Sequence, residues 1–147
     1  MVENKVNVLL RISKANLIRA EKRFNAREYD SAVFHASMTV ESIANALILK
    51  LGGSEAKNHR AISGLAAVIR RAKPQWLTEE TCIKFIDKGR DIQREVIYTR
   101  YPLKVGGKWV TPMEYYTREK ARMIINHAKF VVEGIKEYLE RKVIQKT

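Results

Sequence analysis

The segment from Asp30 to Leu51 is the strongest structural signal in this sequence. Its apolar residues recur at the spacing of one helical face, and small residues between them let neighbouring helices approach closely. Gly52 and Gly53 follow directly, as is typical of a helix C-cap. The segment therefore predicts a long, closely packed helix, capped at its start by Asp30 or Ser31. The apolar stripe consists of Val33, Ala36, Val40, Ala44, Leu47 and Leu51.

The sequence pattern of the rest of the chain also predicts helices that are separated by short breaks. We expect Pro74 to stop the third helix, and Thr78 and Thr117 to cap the fourth and the last. Gly106-Gly107 permits a small hairpin between these last two helices. Because strands and helices do not alternate, the pattern predicts an all-α protein, an antiparallel bundle of four to five helices in a single domain over residues 1–147. The predicted helices cover residues 4–24, 30–51, 62–69, 78–100 and 117–143.

The charge of the chain indicates which partners it can attract. Its 147 residues carry a formal charge of +12, with a pI near 10.0. Such a field favours polyanions such as nucleic acid, nucleotides or acidic proteins. No window approaches about eighteen apolar residues, and the start lacks the order of a secretion signal, so we expect a cytoplasmic protein with no membrane partner. The single cysteine, Cys82, is interpreted as a small core residue.

A break at residues 94–102 is the strongest functional signal in the sequence. Pro102 biases Tyr101 away from helical geometry, so the fourth helix should end here with polar side chains at its terminus. Basic residues surround the break, although Asp91 and Glu95 can neutralise part of their charge through ion pairs within the helix. A guanidinium group can donate two parallel hydrogen bonds to the oxygens of one phosphate, and aromatic rings stack on bases. The predicted site for RNA or a nucleotide consists of Arg90, Arg94, Tyr98, Arg100, Tyr101, Lys104 and Lys108.

Three stretches of the sequence occur in an order that is known from one protein family. They are Tyr29–Ala36 with its continuation Val40–Leu47; His59 followed by Ile62 and Leu65; and Arg100–Pro102, followed later by Tyr115–Thr117 and a final amphipathic helix. In this order they resemble the HEPN domain family, the nucleotide-binding domains of higher eukaryotes and prokaryotes. The resemblance covers nearly the whole chain.

The resemblance carries expectations about structure, partners and activity. It implies a helical bundle that pairs as a homodimer, with polar helix ends lining a shared cleft. Many members of the family are metal-independent RNases, often toxins that act beside a nucleotidyltransferase antitoxin, whereas others only bind. The histidines of this chain lack metal-ligand spacing, so neither a metal nor a cofactor is expected.

The catalytic motif of the family is an arginine, four to six residues, a histidine, and often a tyrosine two positions further on. Placing Tyr101 on that tyrosine puts Arg94 on the arginine and Thr99 where the histidine belongs. Arg94 and Tyr101 are thus the candidate catalytic residues. Thr99 cannot take the proton of a 2′-hydroxyl group near neutral pH. We therefore expect a protein that binds RNA or a nucleotide without efficient cleavage.

Two alternatives stay open. One is an RNase toxin with a displaced catalytic set, in which Arg94 acts with Tyr98 or His127. Arg122 and His127 do match the spacing of the motif, but residues five apart on a helix point about 140° apart, which favours a structural role for His127. The other alternative is a non-catalytic protein whose basic face docks an acidic partner such as a nucleotidyltransferase.

Overall fold

The computed structural model describes residues 2–72 and 79–145 of the chain. Within these residues, six helices and one two-stranded antiparallel sheet are formed. The all-α fold class expected from the sequence is confirmed, and the predicted hairpin is present. The elements are α1 (Val2–Asn25), α2 (Tyr29–Lys50), α3 (Ala61–Ala72), α4 (Glu79–Tyr98), β1 (Leu103–Val105), β2 (Lys108–Val110), α5 (Pro112–Tyr115) and α6 (Arg118–Gln145).

Helix α2 lies at the centre of the bundle, and each of the other described helices contacts it. Val33, Val40 and Leu47 of the predicted stripe are buried, and so are Ala46 and Ile48 on other faces of the helix. By length and hydropathy alone, α2 could span a membrane, contrary to the sequence-based expectation. However, 67% of its most apolar 18-residue stretch is buried inside the bundle. A helix that is apolar on all sides is typical of a protein core.

Polar side chains join α1 to α2. The hydroxyl of Ser13 donates to the backbone carbonyl of Thr39 at 2.9 Å, and the hydroxyl of Thr39 lies 3.3 Å from the carbonyl oxygen of Ser13. Further along, Asn16 Oδ1 lies 3.0 Å from Nδ1 of the half-buried His35. A buried polar group without a partner would cost about 1–3 kcal/mol. These reciprocal bonds therefore permit a polar stripe inside an otherwise apolar interface.

The start of α2 differs from the prediction. Asp30 and Ser31 lie inside the helix, and the N-cap is Glu28, whose side chain makes no capping bond. The predicted cap is therefore wrong. The reason is a tight turn after α1, in which Arg27 adopts a φ angle of 62° and the chain enters α2 already at Tyr29.

Two further helix boundaries depend on side-chain caps. Thr117 caps α6 as predicted, because its Oγ1 accepts the backbone N–H of Lys120 at 3.1 Å. Helix α5 is absent from the prediction because a single turn is too short to show periodicity; a capping box between Thr111 and Glu114 stabilises it. The predicted stop at Pro74 and the predicted cap at Thr78 lie outside the described residues.

Helix α4 ends at the break that the sequence predicts. The last helical residue is Tyr98, and β1 begins at Leu103. The hydroxyl of Thr99 donates to the backbone carbonyl of Val96 at 2.7 Å. Thr99 therefore has a structural role at the end of the helix.

A glycine sets the distance between α4 and α6. A Cβ atom on Gly134 would lie 1.9 Å from Cε1 of Phe85, so the aromatic ring rests directly on the backbone of α6. Phe130 packs against the same ring, with 5.7 Å between the ring centroids. The missing side chain of Gly134 therefore lets α4 and α6 approach closely at this contact.

We expect Gly134→Ala to lower the free energy of unfolding, because overpacking costs about 1–3 kcal/mol and alanine regains only about 1 kcal/mol of helix propensity. The measurement is urea unfolding followed by circular dichroism. Gly64→Ala in α3 is the matched control, since its Cβ would lie 3.2 Å from its nearest neighbour, the Cβ of Ala56. Equal stability of the two variants would contradict the role of Gly134.

Candidate nucleic-acid interface

A polar cleft of about 370 Å³ lies between α4 and α6. Its volume falls in the range of small-ligand sites, roughly 300–1,000 Å³. The helical period places residues three, four and seven apart on one face of α4, which explains how a single helix supplies most of the polar groups. The lining residues are Asp91, Ile92, Arg94, Glu95 and Tyr98 of α4, and Met123, Ile124 and His127 of α6.

Arg94 supplies an exposed positive charge to the cleft. Its guanidinium pairs with the carboxylate of Asp91, and the two side chains are 72% and 58% exposed. An exposed ion pair of this kind contributes about 0–1 kcal/mol. A phosphate group can therefore replace Asp91, or bind to the remaining N–H donors of Arg94, at little cost.

Glu95 is held in position by a buried tyrosine. The hydroxyl of Tyr116 donates to the Glu95 carboxylate and lies 3.3 Å from the backbone carbonyl oxygen of the same residue. Burial, together with the neighbouring carboxylate, raises the pKa of Tyr116 far above its usual range, so the phenol stays a donor. A carboxylate accepts several hydrogen bonds. Glu95 therefore keeps further acceptor capacity while it lines the cleft. The sequence-based interpretation of Glu95 as an ion-pair partner of a helix arginine misses this contact.

Three tyrosines form an aromatic cluster at one end of the cleft. The ring centroids of Tyr98 and Tyr115 are 6.0 Å apart, and those of Tyr115 and Tyr116 are 4.9 Å apart, both in edge-to-face arrangements. The ammonium group of Lys120 lies 3.7 Å from the centroid of the Tyr115 ring. Tyr98 itself is 39% exposed, so part of its ring is accessible to a base.

His127 is half-buried on α6 and faces α4. It lines the cleft and also an adjoining hollow of about 470 Å³. Burial lowers the pKa of His127, the positive charge of Lys88 lowers it further, and the carboxylate of Asp91 acts in the opposite direction. The structure thus places an imidazole, which can carry or accept a proton, in the same cleft as Arg94, whereas the sequence-based argument favours a structural role for it.

Arg122 serves the packing of α6 against α1. Its guanidinium donates to both carboxylate oxygens of Glu21, at 3.0 and 3.1 Å, and lies 3.9 Å from the centroid of the Phe24 ring. Arg122 and His127 both line the adjoining hollow, although residues five apart on a helix point about 140° apart. The Arg122 guanidinium is nonetheless held by α1. These contacts lower the pKa of Glu21, with the bonds from Arg122 as the largest cause.

The remaining predicted binding residues lie outside this cleft. The guanidinium of Arg100 lies over the ring of Phe34 on α2, 4.6 Å from its centroid. Lys104 stands opposite Trp109 in the hairpin, with its ammonium group 5.8 Å from the ring centroid. The structure therefore brings Arg94 and Tyr98 together and distributes the others over α2 and the hairpin. Exposed residues of the predicted set that do not line the cleft also include Arg90, Tyr101 and Lys108.

A more apolar groove of about 490 Å³ lies between α1 and α6. Leu10, Leu17 and Val132 are among the residues that line it. Basic side chains, among them Arg11, Lys14 and Lys136, also line this groove. The α4–α6 cleft differs from it in that Arg94, an exposed tyrosine ring and a histidine occur together there.

The two other histidines do not reach the cleft lining. His35 belongs to the α1–α2 interface, and burial lowers its pKa, as do the charges of Arg19 and Arg23. His59 adopts a φ angle of 58° in the loop before α3, and its buried Nδ1 makes no hydrogen bond. Over residues 2–72 and 79–145, no three His, Cys, Asp or Glu side chains are arranged to hold a metal ion.

This molecule is thus a helical-bundle protein with a polar cleft beside the break that ends its fourth helix. The sequence model of the HEPN domain matches residues 6–138. The chain therefore belongs to the HEPN domain family, and the resemblance noted in the sequence is confirmed.

Two known proteins are similar to this chain. The "Putative toxin MJ1304" of Methanocaldococcus jannaschii is 25% identical over 135 residues, which cover 92% of this chain and 88% of that protein. The crystal structure of TT1696 from Thermus thermophilus superposes with a TM-score of 0.72, covering 91% of this chain and 98% of that one at 22% identity. The second similarity supports the fold alone.

We expect Tyr116→Phe to destabilise the protein, because a hydrogen bond to a charged group contributes about 1.5–3 kcal/mol. The variant keeps the ring and removes the hydroxyl that holds Glu95. Tyr101→Phe is the matched control, since Tyr101 is 61% exposed and its hydroxyl should contribute little. Thermal unfolding of both variants tests this. An unchanged melting temperature for Tyr116→Phe would contradict the proposed anchoring of Glu95.

Proposed function

We propose that this HEPN protein binds single-stranded RNA through the α4–α6 cleft. The observation that carries the proposal is the meeting of Arg94, Tyr98 and His127 in one cleft of a chain with a formal charge of +12. Arg94 would hold a backbone phosphate, and Tyr98 would stack on a base. Base stacking on an aromatic residue is worth about 1–3 kcal/mol and tolerates any sequence. Free nucleotides would use the same two contacts with lower affinity.

The exposed ring of Tyr98 favours a single strand over a duplex. A base that is paired and stacked within a duplex cannot stack on this ring, whereas a base of a single strand can. Arg100, Lys104 and Lys108 would extend the electrostatic attraction along the phosphates on either side. Their positions against α2 and in the hairpin suit contacts to neighbouring nucleotides rather than to the one in the cleft.

A toxin-like role is the biological setting that we infer. It is supported by membership of the HEPN family and by the toxin relative. In this setting the protein acts on cellular RNA and is neutralised by an antitoxin, for which a nucleotidyltransferase is the candidate. The basic surface of this chain would suit an acidic face on that partner. Co-purification of a nucleotidyltransferase would support the pairing.

The same face of the bundle is where we place a homodimer contact. Ile83 and Ile97 are 53% and 63% exposed on the α4 stripe that also carries Arg94, and Met123 of α6 is 49% exposed. Apolar side chains among arginines are typical of protein interfaces. Pairing through this face would bring two clefts together and enlarge the surface available to RNA.

Arg94→Ala should weaken binding of a fluorescein-labelled single-stranded RNA about tenfold or more, because it removes a charge-assisted contact worth about 1.5–3 kcal/mol. Fluorescence anisotropy over a series of salt concentrations provides the measurement. Affinity of the wild type should fall linearly on logarithmic axes as salt rises, and the slope should shrink by about 0.7 when one phosphate contact is lost.

Arg71→Ala is the matched control for this experiment. Arg71 is an exposed arginine at the end of α3, so the variant loses the same charge on a different surface. Its affinity and salt slope should stay close to those of the wild type. Absence of any salt-dependent binding by the wild type would rule out the proposed function, and equal losses in both variants would move the site away from the cleft.

For the dimer, Ile97→Asp should shift the protein towards the monomer, because a buried unpaired carboxylate opposes association. Light scattering after size-exclusion chromatography gives the molar mass. Ile18→Asp is the matched control, since Ile18 is 49% exposed on α1. A wild type that is monomeric at high concentration, or a dimer that only Ile18→Asp dissociates, would overturn this interface.

A further inference from the structure

We propose that the groove between α1 and α6 binds an acidic amphipathic helix of a partner protein. Among the described residues, this groove and the α4–α6 cleft have no lining residue in common. The inference therefore goes beyond the proposed binding of RNA and does not depend on it. It gives the chain a second binding surface, whose ligand is a protein segment.

The groove has the length of a short helix. Helices α1 and α6 run antiparallel and are joined at one end of the groove, where Glu21 binds Arg122 and, at 2.6 Å, Lys129. From that level the groove follows α1 towards its start and α6 towards its end. Its lining on α1 extends from Glu3 to Leu17, which at 1.5 Å per residue is about 21 Å. About four turns of a third helix fit along this distance.

The apolar part of the lining forms a row on each wall. Leu10 and Leu17 lie seven residues apart on α1, and Val132 and Leu139 have the same spacing on α6. Residues at this spacing lie on one face of a helix, and two such rows accept the apolar residues of a third helix between them. The lining residues that the structure describes include no aromatic ring on which a base could stack. The groove therefore suits an amphipathic helix better than a nucleic acid strand.

Basic side chains accompany these rows on both walls. Lys14 precedes Glu21 by two turns of α1, and Lys136 follows Lys129 by two turns of α6. Because Lys129 pairs with Glu21 and the helices are antiparallel, Lys14 and Lys136 lie at corresponding levels of the groove. Arg11 lies one turn further along α1. All three side chains are exposed, and within residues 2–72 and 79–145 they form no ion pair.

The far end of the groove already accommodates a carboxylate. The side chain of Lys50 is only 9% exposed, and it pairs with the carboxylate of Glu3, which is 65% exposed. Basic side chains outnumber acidic ones in the described lining, which favours a ligand with carboxylates on both flanks of its apolar stripe. The basic residues are Arg11, Lys14, Lys50 and Lys136, and the acidic residues are Glu3 and Glu133.

The distribution of charge decides between this ligand and two other occupants. A lipid carries its charge at one end, whereas the basic side chains of the groove occur along its length and on both walls. A second copy of this chain would bring another formal charge of +12 against these basic residues. An acidic helix places a negative charge beside each of them.

The first experiment measures binding of a synthetic helix by fluorescence anisotropy. The probe is a fluorescein-labelled peptide of about 15 residues, held helical by a hydrocarbon staple, with leucines along one face and glutamates on both flanks. One control peptide has lysine at every glutamate position, and another has the same composition with its leucines dispersed around the helix. The wild type should bind the acidic amphipathic peptide about tenfold or more tightly than either control.

Charge reversal in the groove locates the binding site. Lys14→Glu combined with Lys136→Glu should weaken binding of the acidic peptide about tenfold or more and strengthen binding of the lysine peptide, because like charges then face the glutamates. The matched control combines Lys22→Glu with Arg71→Glu, which are exposed residues outside the groove. This control changes the net charge by the same amount and should bind nearly as the wild type does. The gain for the lysine peptide shows that the groove variant is folded.

Several results would overturn the proposal. They are absence of binding by the wild type, equal affinity for the peptide with dispersed leucines, and equal losses in the two double variants. Displacement of the peptide by single-stranded RNA would place it in the α4–α6 cleft instead. A wild-type oligomer that dissociates only in the groove variant, measured by light scattering, would show that a second copy covers the groove.

The same proteins separate this inference from the proposed function. Arg94→Ala should bind the acidic peptide as the wild type does, and the groove variant should retain its affinity for RNA except for a small loss from its lower net charge. Loss of RNA binding with intact peptide binding would leave the groove proposal in place. Loss of peptide binding with intact RNA binding would remove the groove proposal alone.

Discussion

The bundle is organised by the burial of α2 on all sides. Small residues at Ala32, Ala36 and Ala44 are fully buried, so the helices around α2 can approach its backbone. Ser37 extends this contact to α4, since its hydroxyl lies 3.3 Å from the carbonyl oxygen of Ile92. With α4 and α6 both packed on α2, the two helices become neighbours. The polar cleft is lined by residues of these two neighbouring helices.

The cleft combines buried apolar residues of α4 with polar side chains that are exposed to solvent. Ile92 and Val96 of α4 are buried, whereas Arg94 is exposed between them. On the opposite wall Gly134 admits the Phe85 ring and so fixes the separation of the helices. Functional groups on packed helices are positioned more precisely than groups on loops. Within this frame the bond from Tyr116 to Glu95 selects the orientation of one carboxylate.

Particular residues show how far the sequence predicts this site. Arg94 and Tyr98 are predictable because a helix period and a proline break are local signals. The sequence suggests an ion pair for Glu95, but its partner Tyr116 is 21 positions away and belongs to the segment before α6. The sequence-based argument considers only the angle between His127 and Arg122 on α6, and it therefore predicts a structural role for His127. The residues that share a cleft with His127 belong to α4, and the sequence of α6 carries no information about them.

Local patterns are enough to establish the all-α class, the long central helix, the break after Tyr98 and the basic character of the surface. These properties follow from periodicity, capping and charge, which act over a few residues. Which polar groups share a cleft is settled by tertiary packing, because it depends on which faces of α4 and α6 meet. Packing also places Arg100 against Phe34 of α2 rather than beside Arg94. Distances between segments far apart in the chain are not encoded in any local pattern, and so the site is visible only in the folded bundle.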